Sequence, residues 1–109
     1  MVPGEIYTMF FPYKPPAKSG KVRPVIILAV EAKRAIAVAV KITTSQPSDY
    51  FPNREKIIYW KRANLVKPSY AELDSTAIIP ITPKYRYVGE LHPYDFQNIL
   101  IKFKSLNKM

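Results

Sequence analysis

The chain has 109 residues, 48% of them hydrophobic, which is enough for one packed core and too many for a disordered segment. Seventeen Lys and Arg against eight Asp and Glu leave a formal net charge of +9, pointing to a polyanionic partner such as nucleic acid, an anionic membrane or an acidic protein. With no cysteine and a single histidine, the sequence excludes disulfides and thiolate metal sites and offers no set of His ligands, so neither a metal nor a cofactor is expected.

Met1 to Tyr7 lacks the basic and apolar segments of a signal peptide, and no apolar run approaches the ~18 residues of a membrane span. The expectation is a single cytoplasmic domain over residues 1–109, with no membrane partner.

Pro3-Gly4 forms a turn into a strand from Glu5 to Phe11, with Ile6, Thr8 and Phe10 on one face and Tyr7, Met9 and Phe11 on the other. Pro12 to Lys21 reads as an exposed loop carrying Lys14, Lys18 and Lys21. Arg23-Pro24 then leads into Val25 to Val30, an unbroken apolar run that reads as a strand buried on both faces. Pro24 suits the first residue of such a strand, which places Arg23 at a loop–strand junction.

A short connection, Glu31 to Arg34, is expected to close a hairpin with Ala35 to Ile42. There Ile36, Val38, Val40 and Ile42 form a large apolar face. Ala35, Ala37, Ala39 and Lys41 form a small one, which favours close approach by a backbone or a ligand. By parity Thr43 shares the face of Lys41. After a polar loop from Thr43 to Asn53, further strands are expected at Arg54–Tyr59, Ser69–Leu73, Thr76–Ile81 and Tyr85–Glu90, with a single turn at Trp60–Asn64. His92 caps the one helix, Tyr94 to Phe103, whose buried face is Phe96, Ile99, Leu100 and Phe103. Short strands plus one C-terminal helix predict a mainly β fold, a small and partly closed barrel.

The chemistry-bearing residues are few in kind. One histidine before a proline makes a poor triad member, the three glycines are scattered, and the acids are not paired. An enzyme built from this chain relies on Arg, Lys, Thr, Ser or Tyr. Those residues suit phosphodiester cleavage in RNA. There the substrate supplies its own 2′-hydroxyl nucleophile, and an Arg fork stabilises charge on the non-bridging oxygens. Aromatic residues alternate with basic ones at Tyr13-Lys14, Tyr59-Trp60-Lys61-Arg62 and Lys84-Tyr85-Arg86-Tyr87, a pattern that can grip a single strand. The same rings serve equally well as core, foremost Phe10, Trp60 and Phe96. Tyr85 and Tyr87 take one strand face and Arg86 the other, so they cannot all line one groove.

In order, Pro3-Gly4-Glu5-Ile6, Phe11-Pro12-Tyr13, Lys21-Val22-Arg23-Pro24, Val40 to Ser45, Ala63 to Ser69 and Val88-Gly89-Glu90-Leu91 resemble the toxins of the PemK/MazF family over nearly the whole chain. The resemblance implies an SH3-like barrel that forms a homodimer. It also implies a metal-independent endoribonuclease acting on single-stranded RNA, and a cognate antitoxin that occupies the RNA groove. It places the catalytic Arg at Arg23 and the catalytic Thr at Thr43, with Thr44 as the alternative if the register slips. Tyr13, Lys14, Lys18, Lys21, Thr44 and Ser45 are the expected RNA contacts. Where the family often has Ser-His or Gly-Arg after the Thr, this chain has Thr44-Ser45, so no local imidazole or guanidinium follows and the proton acceptor is unassigned. Two other readings use the same kind of barrel: a CcdB-like toxin that binds DNA gyrase, and a non-catalytic nucleic-acid-binding domain.

Overall fold

The computed structural model describes residues 1–12 and 20–107. Its strands are β1 (Glu5–Pro12), β2 (Gly20–Glu31), β3 (Ile36–Thr43), β4 (Arg54–Ile57), β5 (Ser69–Pro80) and β6 (Arg86–Glu90), followed by helix α1 (Pro93–Leu106). They form one antiparallel sheet in the order β4-β5-β3-β2-β1-β6. The mainly β expectation with a closing helix is met. Closure into a barrel is not, because the edge strands β4 and β6 do not pair with each other.

What closes the molecule instead is the turn after β4. Every strand feeds one core, from Ile57 of β4 through Ile42, Ala71, Ile26 and Ile6 to Val88 of β6, and α1 adds Ile99. A sheet whose two edges reach the same core must coil around it. The turn bridges the remaining gap, with Asn64 Nδ2 donating to the Val88 carbonyl at 3.0 Å. Contact there is so close that a Cβ on Gly89 would lie 2.5 Å from the Ala63 carbonyl oxygen, so only glycine fits.

Of the Val25–Val30 run expected to be buried on both faces, Val25 to Leu28 are buried, whereas Ala29 is exposed and Val30 half-buried. Ile26 and Leu28 face α1, while Val25 and Ile27 join Met9, Ala37 and Ala39 in a second cluster on the opposite face. The alanine face of β3 is covered by neighbouring side chains. Ile81 and Tyr85, from the connection between β5 and β6, pack onto that cluster.

Several boundaries differ from expectation for identifiable reasons. β2 begins at Gly20, so Arg23 lies inside a strand, opposite Met9 of β1, and not at a loop junction. Pro24 still marks a boundary: the ladder to β3 starts at Val25↔Lys41, just past the residue that has no N–H to donate. Asp74-Ser75 does not separate two strands. It belongs to a bulge in a continuous β5, since Lys41 pairs with Glu72 while Val40 pairs with Thr76. Asn53 holds that bulge, its side chain donating to Asp74 and its carbonyl accepting from Leu73 N.

β4 ends at Ile57 because Asp95 takes the next two amides, its carboxylate accepting from Ile58 N at 3.0 Å and Tyr59 N at 2.9 Å. Asp95 is fully buried on the first turn of α1 and ties the helix to the closing turn. His92 caps α1 as expected, its Nδ1 accepting from Tyr94 N at 3.0 Å. The Asp95→Ala variant strips both amides of their acceptor and is expected to cost about 2 kcal/mol, lowering Tm by roughly 10 °C. A melting curve indistinguishable from the parent's would show that the turn holds without it. Within the described residues no helix is long and apolar enough to cross a membrane.

Candidate active site

Arg23 and Thr43 lie at the same end of the neighbouring strands β2 and β3. Arg23 on β2 and Thr43 on β3 each lie two residues beyond Val25↔Lys41, the last pair of the ladder between those strands. Each is held from its other side, Arg23 by Met9 of β1 and Thr43 by Tyr70 of β5. Both lie on the face of the sheet away from α1, which also carries Lys41 and Glu72. Arg23 is half-buried, while Thr43 is 7% exposed. The Thr43 hydroxyl oxygen accepts from Ser45 N at 3.2 Å, which leaves its own proton to be donated elsewhere.

Next to this pair lies an ion cluster that sequence reasoning missed. Glu72 is 2% exposed and holds two cations, Lys41 Nζ at 2.9 Å and Arg54 Nη2 at 2.6 Å. Ser75 Oγ donates to the same carboxylate. Burial pushes the Glu72 carboxyl up, but hydrogen bonds from Ser75, Lys41 and Arg54 outweigh it and hold the pKa at about 2. Arg54 also donates from Nη1 to the Gln46 carbonyl at 3.2 Å, and its guanidinium carbon sits 4.2 Å from the Phe51 ring centre. A signal for the cluster was available. Lys41 interrupts the alanine face at the parity of Thr43, and Glu72 stands between Ala71 and Leu73, where a charge is tolerated only if paired.

Two groups on this face of the sheet, Glu72 and Tyr7, exchange no proton near neutrality. Glu72 stays ionised. Burial, with the hydrogen bond and charge of Glu5 beside it, pushes the Tyr7 hydroxyl up to about 12.

Of the expected RNA contacts, Lys21, Thr44 and Ser45 are exposed near Arg23 and Thr43, whereas Tyr13, Lys14 and Lys18 lie outside the described residues. The basic–aromatic stretches split as expected. Tyr85 is in the second cluster, Tyr87 meets Tyr7 edge-on at 5.6 Å, and Arg86 lies beside Thr8 on the other face. Trp60 and Phe96 pack against the core, but Phe10 is 60% exposed.

The model of the PemK-like, MazF-like toxins of type II toxin–antitoxin systems matches residues 2–106. The chain belongs to the PemK/MazF toxin family. No curated protein matches it in sequence. Solved structures share the family's fold at low identity. An endoribonuclease in complex with its cognate antitoxin, from a mycobacterial species, superposes with TM-score 0.74 at 19% identity, covering 100% of this chain and 97% of that one. The MazE–MazF complex of Deinococcus radiodurans gives TM-score 0.70 at 16% identity, with coverage of 100% and 97%. A MazF toxin of Mycobacterium tuberculosis gives 0.66 at 20%, with coverage of 94% and 97%. This chain is thus a PemK/MazF toxin of a toxin–antitoxin system, with Arg23, Thr43 and the Glu72 cluster on one face of the family's sheet.

Proposed function

We propose that this toxin is an endoribonuclease that cleaves single-stranded mRNA, with Arg23 and Thr43 acting on the scissile phosphate. The observation that supports this reading is that both residues lie two steps beyond Val25↔Lys41, at the same end of adjacent strands and on the sheet face of the Glu72 cluster. A guanidinium and a hydroxyl arranged so can donate to two oxygens of one phosphorus centre.

The substrate's 2′-oxygen attacks the adjacent phosphorus and loses its proton. The bond from phosphorus to the 5′-oxygen breaks, and that oxygen takes up a proton. The products are a 2′,3′-cyclic phosphate and a 5′-hydroxyl. Arg23 donates to the non-bridging oxygens as their charge grows, because its planar fork matches a phosphate and its charge persists at every working pH. Thr43 contributes its free hydroxyl proton, held in direction by the Ser45 amide on its oxygen. Arg23 is not the proton acceptor, since its pKa is above ~12. Glu72, held at about 2, is a poor one at neutral pH.

Lys21, with Tyr13, Lys14, Lys18, Thr44 and Ser45, holds the flanking nucleotides. RNA affinity is therefore expected to fall with added salt. Lys21→Ala is expected to reduce the slope of log K against log salt by ~0.7, the share of one neutralised phosphate on a single strand. A slope the same as the parent's would remove Lys21 from the interface. A homodimer and an antitoxin that competes for the same face complete the proposal. They draw support from the family and from neighbours described as MazE–MazF complexes.

Incubating the pure protein with RNA, no other protein present, and mapping the fragment ends tests the reading. Fragments with 5′-hydroxyl ends at a recurrent short sequence are expected. Intact RNA at high protein concentration would favour a gyrase-binding toxin or a non-catalytic binder instead.

A further inference from the structure

We infer that Arg54 is a positioning residue for RNA recognition: anchored on Glu72, its guanidinium fixes the Gln46 carbonyl and the Phe51 ring, and so sets the segment from Thr44 to Asn53 beside Thr43. The inference rests on the ribonuclease reading above and deepens it.

From Thr44 to Pro52 every residue is exposed, so packing alone does little to fix this segment. Its internal ties are short-range: Ser45 N to the Thr43 hydroxyl, and a reciprocal pair of backbone bonds between Ser48 and Phe51. From outside, Asn53 ties the end of the segment to Leu73 and Asp74, and Arg54 ties its middle. Its Nε and Nη2 reach Oε1 of Glu72 at 2.8 and 2.6 Å, its Nη1 reaches the Gln46 carbonyl at 3.2 Å, and its face covers Phe51. Only a planar group with donors on three nitrogens can make all of these contacts together.

The anchor is itself held at both oxygens, because Lys41 and Ser75 take the other one. Lys41 is two residues before Thr43 on the same strand face, so one carboxylate braces both the end of β3 and the loop that follows it. Held in this way, Phe51 fixes the chain on which Tyr50 stands, a ring 90% exposed and free to stack on a base. Arg54, itself 12% exposed, acts through the loop and does not contact RNA.

The test compares the parent, Arg54→Lys and Phe51→Leu on a random single-stranded RNA pool and on one preferred oligonucleotide. Arg54→Lys keeps the charge facing Glu72 but lacks the fork. Its KM is expected to rise about tenfold while kcat changes by less than about threefold, with a relaxed sequence preference at the cut site. Phe51→Leu, which removes only an exposed ring contact, is expected to relax the preference in the same direction and stands in if Arg54→Lys does not fold. Unchanged KM and unchanged preference in a folded Arg54→Lys, or in Phe51→Leu if that variant must stand in, overturn the inference while leaving the ribonuclease reading intact. A parent protein that cuts no RNA overturns that reading, and this inference falls with it.

Discussion

Arg23→Ala is expected to lose about 10³-fold or more in RNA cleavage while melting within a few degrees of the parent. The side chain is half-buried and belongs to neither buried cluster, so truncating it removes little packing. What goes is the group that meets charge on the non-bridging oxygens, an interaction stronger in the transition state than in the bound substrate. The loss should therefore appear in kcat more than in KM. Arg23→Lys restores the charge without the fork and should recover only part of the rate. Measuring kcat and KM for the three proteins on one oligonucleotide decides the matter, and a fully active Arg23→Ala would end the assignment.

Glu72→Ala is expected to be the most damaging substitution to stability, at about 3–5 kcal/mol, because it leaves Lys41 and Arg54 enclosed with no counter-charge. The same carboxylate makes stability depend on pH. Its pKa falls from 4.5 to about 2 on folding, so the folded state favours the ionised form. That contribution, on the order of 3 kcal/mol, is fully present above pH 4.5 and is lost as the pH falls towards 2. Urea midpoints for the parent and Glu72→Gln should thus differ most at neutral pH and converge in acid. A constant gap between the two down to pH 2 would show that Glu72 is not the titrating group.

Where hydrophobic pattern decides local structure, the residues spelled the fold out. The alternation in β3 and the Pro93-led helix appear as read, and the apolar run in β2 does so as far as Leu28. Local pattern failed where a distant partner intervenes. β4 stops at Ile57 because Asp95, 37 residues further on, accepts the amide of Ile58, and nothing near Ile58 announces that. Asp74-Ser75 resembles a turn until Asn53 stabilises it as a bulge. The open sheet has the same cause, since the Asn64–Val88 contact that bridges its edges joins residues far apart in sequence.

The candidate site divides in the same way. Arg23 and Thr43 stood out by residue type, by parity and by family resemblance, and they lie on adjacent strands just past the end of the ladder that joins them. The Glu72 cluster did not stand out, because its three charged members come from three strands and only tertiary structure brings them together. Lys41 and Glu72 each break an apolar pattern, which marks them as unusual but does not pair them.

In the proposed mechanism the RNA itself supplies the nucleophile to a phosphate held by Arg23 and Thr43. A pair of oligonucleotides identical except for one 2′-deoxyribose on the 5′ side of the mapped cut separates that chemistry from any other. The all-ribose strand should be cut there to a 2′,3′-cyclic phosphate and a 5′-hydroxyl, while the deoxy-substituted strand survives at that bond. Equal cleavage of both strands would contradict the mechanism.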